Sequence, residues 1–101
     1  MNKARRLELN NLIKELRFVQ DKDDIYGVIN TLENIRDDEE SYYDNIPENL
    51  QSSQRAYDSE AAIENMNDAL DMLNEAYDGE DNTEWKTIIA QAVDKINAAR
   101  Y

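Results

Sequence analysis

The stretch from Arg36 to Leu50, RDDEESYYDNIPENL, concentrates the side chains of this chain that could take part in chemistry. It holds six carboxylates, two adjacent tyrosines and the single proline, with one arginine. Paired carboxylates act as general acids and bases where their environments differ, and clustered carboxylates bind divalent cations. Thiol and imidazole chemistry are excluded, because the sequence has no cysteine and no histidine.

The acidic runs lack the spacing of an EF-hand calcium loop. Counting from Asp21, the fifth position is Ile25, the sixth is Tyr26 instead of glycine, and the twelfth is Leu32. Counting from Asp78, glycine comes second and a helical pattern follows. There is also no glycine-rich phosphate loop and no nucleophile elbow. We therefore expect no metal site and no cofactor, assign no catalytic residue, and predict that the protein is not an enzyme.

Charge is distributed unevenly along the chain, whose formal net charge is −12 at pH 7. Residues 1–20 carry five basic and two acidic side chains, residues 21–84 carry three and twenty, and residues 85–101 carry three and one. Such a chain repels nucleic acid and anionic membranes and attracts basic surfaces. We expect the partner to be the basic surface of a host protein, such as a nuclease, without direct contact to nucleic acid or membrane. The basic first segment should balance the acidic one, within the molecule or in a homodimer.

Composition indicates the fold class, and the N-terminal segment indicates the location. A chain of 101 residues with two glycines and one proline is typical of one small all-α domain, here residues 1–101. The first residues, MNKARRLELNN, are basic but are not followed by an apolar run. This pattern predicts neither a signal peptide nor a membrane span, so a cytoplasmic location is expected.

Apolar stripes in the first half predict helices over about residues 3–20 and 25–45. The stripe residues recur at three- and four-residue steps, as on one side of a helix. They are Leu9, Leu12, Ile13, Leu16 and Val19, then Ile25, Val28, Ile29, Leu32 and Ile35. Leu7 and Phe18 lie off the first stripe and predict a second contact.

The second half predicts helices over about residues 53–78 and 83–99. The third helix has a seam at alternating steps of three and four, flanked by alanines every seven residues. The seam is Ile63, Met66, Leu70, Leu73 and Tyr77, and the alanines are Ala62, Ala69 and Ala76. Gly79 is placed to end this helix, and Asn82 or Thr83 to cap the fourth.

The breaks between the helices predict how they pack. Asp23 or Asp24 is a candidate N-cap for the second helix, Ser52 or Ser53 for the third, and Pro47 marks the turn between them. The other two breaks, near residues 22 and 80, lie about equally far from this turn. We predict an antiparallel helical hairpin or a small bundle of three to four helices. The favoured form has the outer helices packed together beyond the breaks.

Helical position separates the residues of the opening stretch. Tyr42 continues the apolar stripe of the second helix and should pack inward with Ile46 and Leu50, whereas Tyr43 is rotated by about 100° and should be more exposed. The carboxylates oppose the dipole at the end of this helix, which suggests a purpose beyond local stability. The outward residues are predicted to bind the partner, and they are Asp37, Asp38, Glu39, Glu40, Tyr43, Asp44 and Glu48.

The run IRDDEESYYDNIPENLQSSQR, Ile35 to Arg55, resembles a family of small acidic helical proteins of phages and mobile elements in low-GC Gram-positive bacteria. The resemblance covers roughly residues 30–77, including the acidic, alanine-rich third helix. It implies a phage-type genetic context inside a bacterial cell. It does not imply a mechanism.

Two functions are compatible with these features. The first is an inhibitor that binds a host nucleic-acid-handling or defence protein, in an anti-CRISPR-like or DNA-mimic mode, because carboxylates can occupy a basic nucleic-acid cleft. The alternative is a non-enzymatic structural protein, a helical scaffold that self-associates through its coiled-coil seam. Binding by the inhibitor should weaken as salt rises, whereas seam-driven association should depend little on salt.

Overall fold

Four α-helices and a short 3-10 turn form the fold in the computed structural model, which describes residues 1–79 and 84–101. The helices are α1 Lys3–Arg17, α2 Asp23–Asp44, α3 Gln54–Asp78 and α4 Trp85–Ala99, and the 3-10 turn is Glu48–Leu50. No β-strand occurs in these two described ranges, and the all-α prediction is confirmed. None of the described helices is both long enough and apolar enough to cross a membrane.

Local hydrogen bonds explain where the helices begin. The side chain of Asn2 accepts a backbone N–H at 2.8 Å and caps α1, and Ser53 does the same for α3 at 3.2 Å. The predicted capping of α2 by Asp23 or Asp24 is wrong. Both residues lie within its first turn, and the carboxylate of Asp21 accepts the N–H of Asp23 at 2.9 Å. The predicted caps of α4, Asn82 and Thr83, lie outside the described residues.

The four helices form a compact antiparallel bundle. α1 packs on α2, α2 on α3, α3 on α4, and α4 on α1, which closes the ring. The favoured placement of α1 and α4 beyond the breaks is therefore wrong. They do pack together, but both fold back alongside the α2–α3 hairpin, where the apolar stripes of all four helices are buried in one common core.

The buried side of α3 is rotated toward its alanines. Met66, Leu70 and Leu73 are buried as predicted, but Ile63 and Tyr77 are only half-buried. Alanines and one serine complete the inner side, and they are Ala56, Ser59, Ala62, Ala69 and Ala76. Small side chains let the backbones of neighbouring helices approach closely, and they deepen the contact between α3 and α4. The three buried residues of the predicted seam are thereby packed within the bundle.

Unequal helix lengths leave one end of the hairpin protruding. α2 and α3 have 22 and 25 residues, whereas α1 and α4 have 15 each. At a rise of 1.5 Å per residue, α3 is about 37 Å long and α4 about 22 Å. The molecule accordingly measures 49 × 21 × 18 Å. The second part of the opening stretch, from Tyr43 onward, lies at the protruding end, which we call the hairpin tip, residues 43–54.

Candidate functional site

The structure divides the predicted partner-binding residues into three groups. Four of them are exposed, and they are Asp37, Asp38, Asp44 and Glu48. Glu40 and Tyr43 are half-buried. Glu39 is 0% exposed, so its predicted place on the outer surface is wrong. The reason lies in helical spacing, because Glu39 is four residues after Ile35 and seven after Leu32, on the buried stripe of α2.

The Glu39 carboxylate joins elements from the whole bundle. Its Oε1 accepts the Nε–H of Arg5 from α1 at 2.9 Å. Its Oε2 accepts the hydroxyl of Ser59 from α3 and the phenol of Tyr101, which follows α4, each at 2.6 Å. We call these four residues the Glu39 cluster. Every buried side-chain polar atom in the described ranges has a partner, so the cluster is a satisfied network that fixes the helices relative to one another.

Arg5 provides part of the charge balance that the sequence led us to expect within the molecule. Its guanidinium pairs with Glu39 and also lies over the ring of Tyr42, 5.5 Å from the ring centre. Tyr42 is half-buried beneath it and not part of the apolar core. The predicted contact of Tyr42 with an inward Leu50 is wrong, since Leu50 is 43% exposed, whereas Ile46 is buried.

A cleft of about 680 Å³ opens beside the Glu39 cluster, at the step where α1 and α4 end against the longer hairpin. Burial lowers the pKa of the Met1 α-amino group that lines this cleft. Burial, and then the hydrogen bond to Glu39, raise the pKa of Tyr101 well above its usual value. Tyr101 therefore stays neutral and donates a hydrogen bond to the Glu39 carboxylate.

A second feature, on the opposite side of the hairpin, brings charge and apolar surface together. Glu40, Tyr43 and Asp44 of α2 face Glu60 and Ile63 of α3 across a groove of about 330 Å³. We call these five residues the acidic groove. Glu40 lies 4.0 Å from an arginine of its own helix, and the described residues place no cation within ion-pair distance of the other two carboxylates. The groove therefore offers three carboxylates around a tyrosine and an isoleucine.

Sequence reasoning identified three of the five groove residues, those on α2, and missed the two on α3. Glu40, Tyr43 and Asp44 were predicted to bind the partner, but Glu60 was not singled out and Ile63 was assigned to the core. The signal was present in the alanines of α3. If they face α4, then Ile63, one residue after Ala62, is rotated by about 100° toward α2 and its surface.

The acidic groove continues into a stripe along the outside of α3. The exposed carboxylates recur at steps that keep them on one side of the helix, and they are Glu60, Glu64, Asp71, Glu75 and Asp78. Asp68 fills the interval and pairs with Lys95 of α4 at 3.5 Å. From residue 60 to residue 78 the stripe spans about 27 Å. It gives the hairpin one continuous negative surface.

The acidic residues do not assemble into a metal centre within the described part of the chain. No group of three or more aspartate or glutamate side chains there is close enough to hold an ion. Comparisons with known protein families, with curated proteins and with solved structures found no match. The function must therefore be inferred from the surface itself.

Proposed function

We propose that this protein is a phage-type acidic binding protein that occupies the basic, nucleic-acid-binding surface of a bacterial host protein and thereby inhibits it. The observation that carries the proposal is the acidic groove, whose three carboxylates surround Tyr43 and Ile63. A basic protein surface is complementary to such a groove. Its lysine and arginine cations can pair with the carboxylates, while the apolar stems of the same side chains contact Tyr43 and Ile63.

The spacing of charge supports separate roles for the acidic groove and the α3 stripe. Six carboxylates over about 27 Å give about one charge per 5 Å, whereas one strand of DNA carries one phosphate per 3.4 Å. The stripe is thus a sparser polyanion than DNA. In a DNA-mimic mode it would accelerate association with a basic cleft, and the acidic groove would supply the specific contacts.

The experiment begins with capture of host proteins from a low-GC Gram-positive lysate, with salt elution and identification. Each captured protein is then purified, and its Kd is measured against salt and in competition with duplex DNA and with RNA. We expect a nucleic-acid-binding protein whose binding weakens as salt rises and is displaced by nucleic acid. Recovery only of proteins that do not bind nucleic acid would overturn the proposal.

Two charge-matched variants test the groove. The groove variant is Glu40→Gln, Asp44→Asn and Glu60→Gln. The control is Glu8→Gln, Glu15→Gln and Asp94→Asn, which neutralises three exposed carboxylates on α1 and α4. Exposed charge pairs are worth up to about 1 kcal/mol each, so the groove variant should bind about 10- to 100-fold more weakly. An equal loss in the control would mean that bulk charge, and not the groove, drives binding.

A further inference from the structure

The bundle has two faces of opposite charge. In the ring of helix contacts α1 lies beside α4 and α2 lies beside α3, so the outer sides of these two pairs are opposite faces of the bundle. Residues 1–20 and 85–101 carry eight basic and three acidic side chains, whereas residues 21–79 carry three and seventeen. We call the outer side of α1 and α4 the basic face, and the outer side of α2 and α3 the acidic face.

The basic face has a groove at each end, and both lie between α1 and α4. One, of about 250 Å³, is lined by Leu7 among polar and basic side chains that include Lys3, Arg6 and Arg100. The other, of about 480 Å³, is lined by apolar side chains that include Trp85, by the cations of Arg17 and Lys86, and by the carboxylate of Asp94. Both grooves therefore combine cations with apolar surface.

The cations of this face are not neutralised by carboxylate side chains. Five cations line the two grooves, and they are Lys3, Arg6, Arg17, Lys86 and Arg100. Among the described residues, none of these five comes within ion-pair distance of an aspartate or glutamate. Large apolar side chains stand beside them, since Leu7 is 57% exposed and Phe18 is 77% exposed. These are the two residues that lie off the apolar stripe of α1, and neither is buried by the part of the chain that the structure describes.

We infer that the basic face docks on the acidic face of a second copy of this chain. The acidic face offers the complementary chemistry, because Tyr43 and Ile63 line the acidic groove and two further tyrosines, Tyr26 on α2 and Tyr57 on α3, are exposed. The lengths match, since the cations from residue 3 to residue 17 of α1 span about 21 Å and the α3 stripe about 27 Å. A phosphate backbone would match the cations but would leave the apolar grooves without a complement.

Net repulsion between two chains of charge −12 does not prevent this contact. The bundle is 18–21 Å thick, whereas the Debye length at physiological ionic strength is about 8 Å. Salt therefore largely screens the charge of one face over the thickness of the bundle, and each face interacts with a neighbouring molecule mainly through its own charge. Because the two faces lie on opposite sides of the molecule, the contact is head-to-tail, and it leaves a free face at each end that can bind a further copy.

Charge reversal and complementation test this inference without any partner protein. The first variant, Glu64→Lys with Asp71→Lys, reverses charge at the centre of the acidic face, and the second, Arg17→Glu with Lys86→Glu, reverses it on the basic face. The comparison variant, Glu8→Lys with Glu15→Lys, makes the same charge change as the first variant but on exposed positions of α1, where added positive charge does not weaken the basic face. It therefore serves as the control for a change in net charge. Sedimentation velocity over a concentration series measures association, and circular dichroism checks that each variant keeps its helices.

We expect the wild type and the control to associate as concentration rises, and each face variant alone to associate at least about tenfold more weakly. An equimolar mixture of the two face variants should associate again, because every contact then pairs opposite charges. Trp85, the only tryptophan, reports the basic face directly, and its accessibility to a fluorescence quencher should fall on association. A wild type that stays monomeric at all concentrations, or a mixture that stays as monomeric as its parts, would overturn the inference.

Discussion

Replacing Glu39 by alanine should destabilise this protein more than any substitution at a neighbouring acidic position. The carboxylate is fully buried and accepts from Arg5, Ser59 and Tyr101. Truncation removes all three acceptor contacts at once. It leaves the guanidinium of Arg5, whose side chain is only 13% exposed, without its anion, and it leaves the buried hydroxyl of Ser59 without an acceptor.

The expected magnitude follows from these contacts. Removing one partner of a buried ion pair costs about 3–5 kcal/mol. A domain of this size is stable by only about 5–15 kcal/mol, so the loss is a large share of the total. At about 4–8 °C per kcal/mol, the melting temperature should fall by at least about 12 °C. Asp38→Ala, one residue away and exposed, should change stability by no more than about 0.5 kcal/mol.

Urea unfolding followed by circular dichroism measures both variants at pH 7 and 25 °C. Glu39→Gln distinguishes the charge from the shape, because its amide oxygen can still accept a hydroxyl proton while the ion pair with Arg5 is lost. The free energy of unfolding of Glu39→Gln should lie between those of the wild type and Glu39→Ala. If Glu39→Ala were no less stable than Asp38→Ala, the burial of Glu39 and its role in joining the helices would be refuted.

Three further predictions follow from single positions. Tyr101→Phe should lower the free energy of unfolding by about 1.5–3 kcal/mol at neutral pH, because it removes a hydrogen bond to a carboxylate. It should also flatten the fall in stability above about pH 10, where the unfolded tyrosine ionises and the folded one, with its raised pKa, does not. Urea unfolding from pH 8 to 11 measures both effects. Gly27→Ala should stabilise α2 by about 0.5–1 kcal/mol in thermal melts, because the position is helical, exposed and open to a methyl group. Ala69→Leu should destabilise the protein by about 1–3 kcal/mol in urea unfolding, since Ala69 is fully buried on the inner side of α3.

The sequence predicted the helices well because their signals are local. Apolar stripes at three- and four-residue steps placed Leu9, Leu32 and Leu73 in the core, and all three are buried. Ser53, one of two candidate caps, does cap α3. Such signals depend on the rotation of each residue about its own helix axis, which spacing alone determines.

The arrangement of the helices was harder to predict because it depends on contacts distant in sequence. Whether α1 continues past α2 or folds back is decided at residues 18–22, where no glycine or proline marks a reversal. The contacts that hold it back join Arg5 to Glu39 and Arg6 to the main-chain oxygen of Tyr101. Neither pair has a sequence pattern of its own, since residues 34 or 95 positions apart share no period.

Glu39 shows how one residue can be misread when its chemical type and its position disagree. Its carboxylate suggested an outer surface, together with Asp38 and Glu40, while its helical position suggested the core. Position prevailed because the bundle supplies three donors at that point, and a buried carboxylate is tolerated only where its oxygens are satisfied. By joining α1, α2, α3 and the chain after α4 at one buried carboxylate, the Glu39 cluster fixes the helices relative to one another.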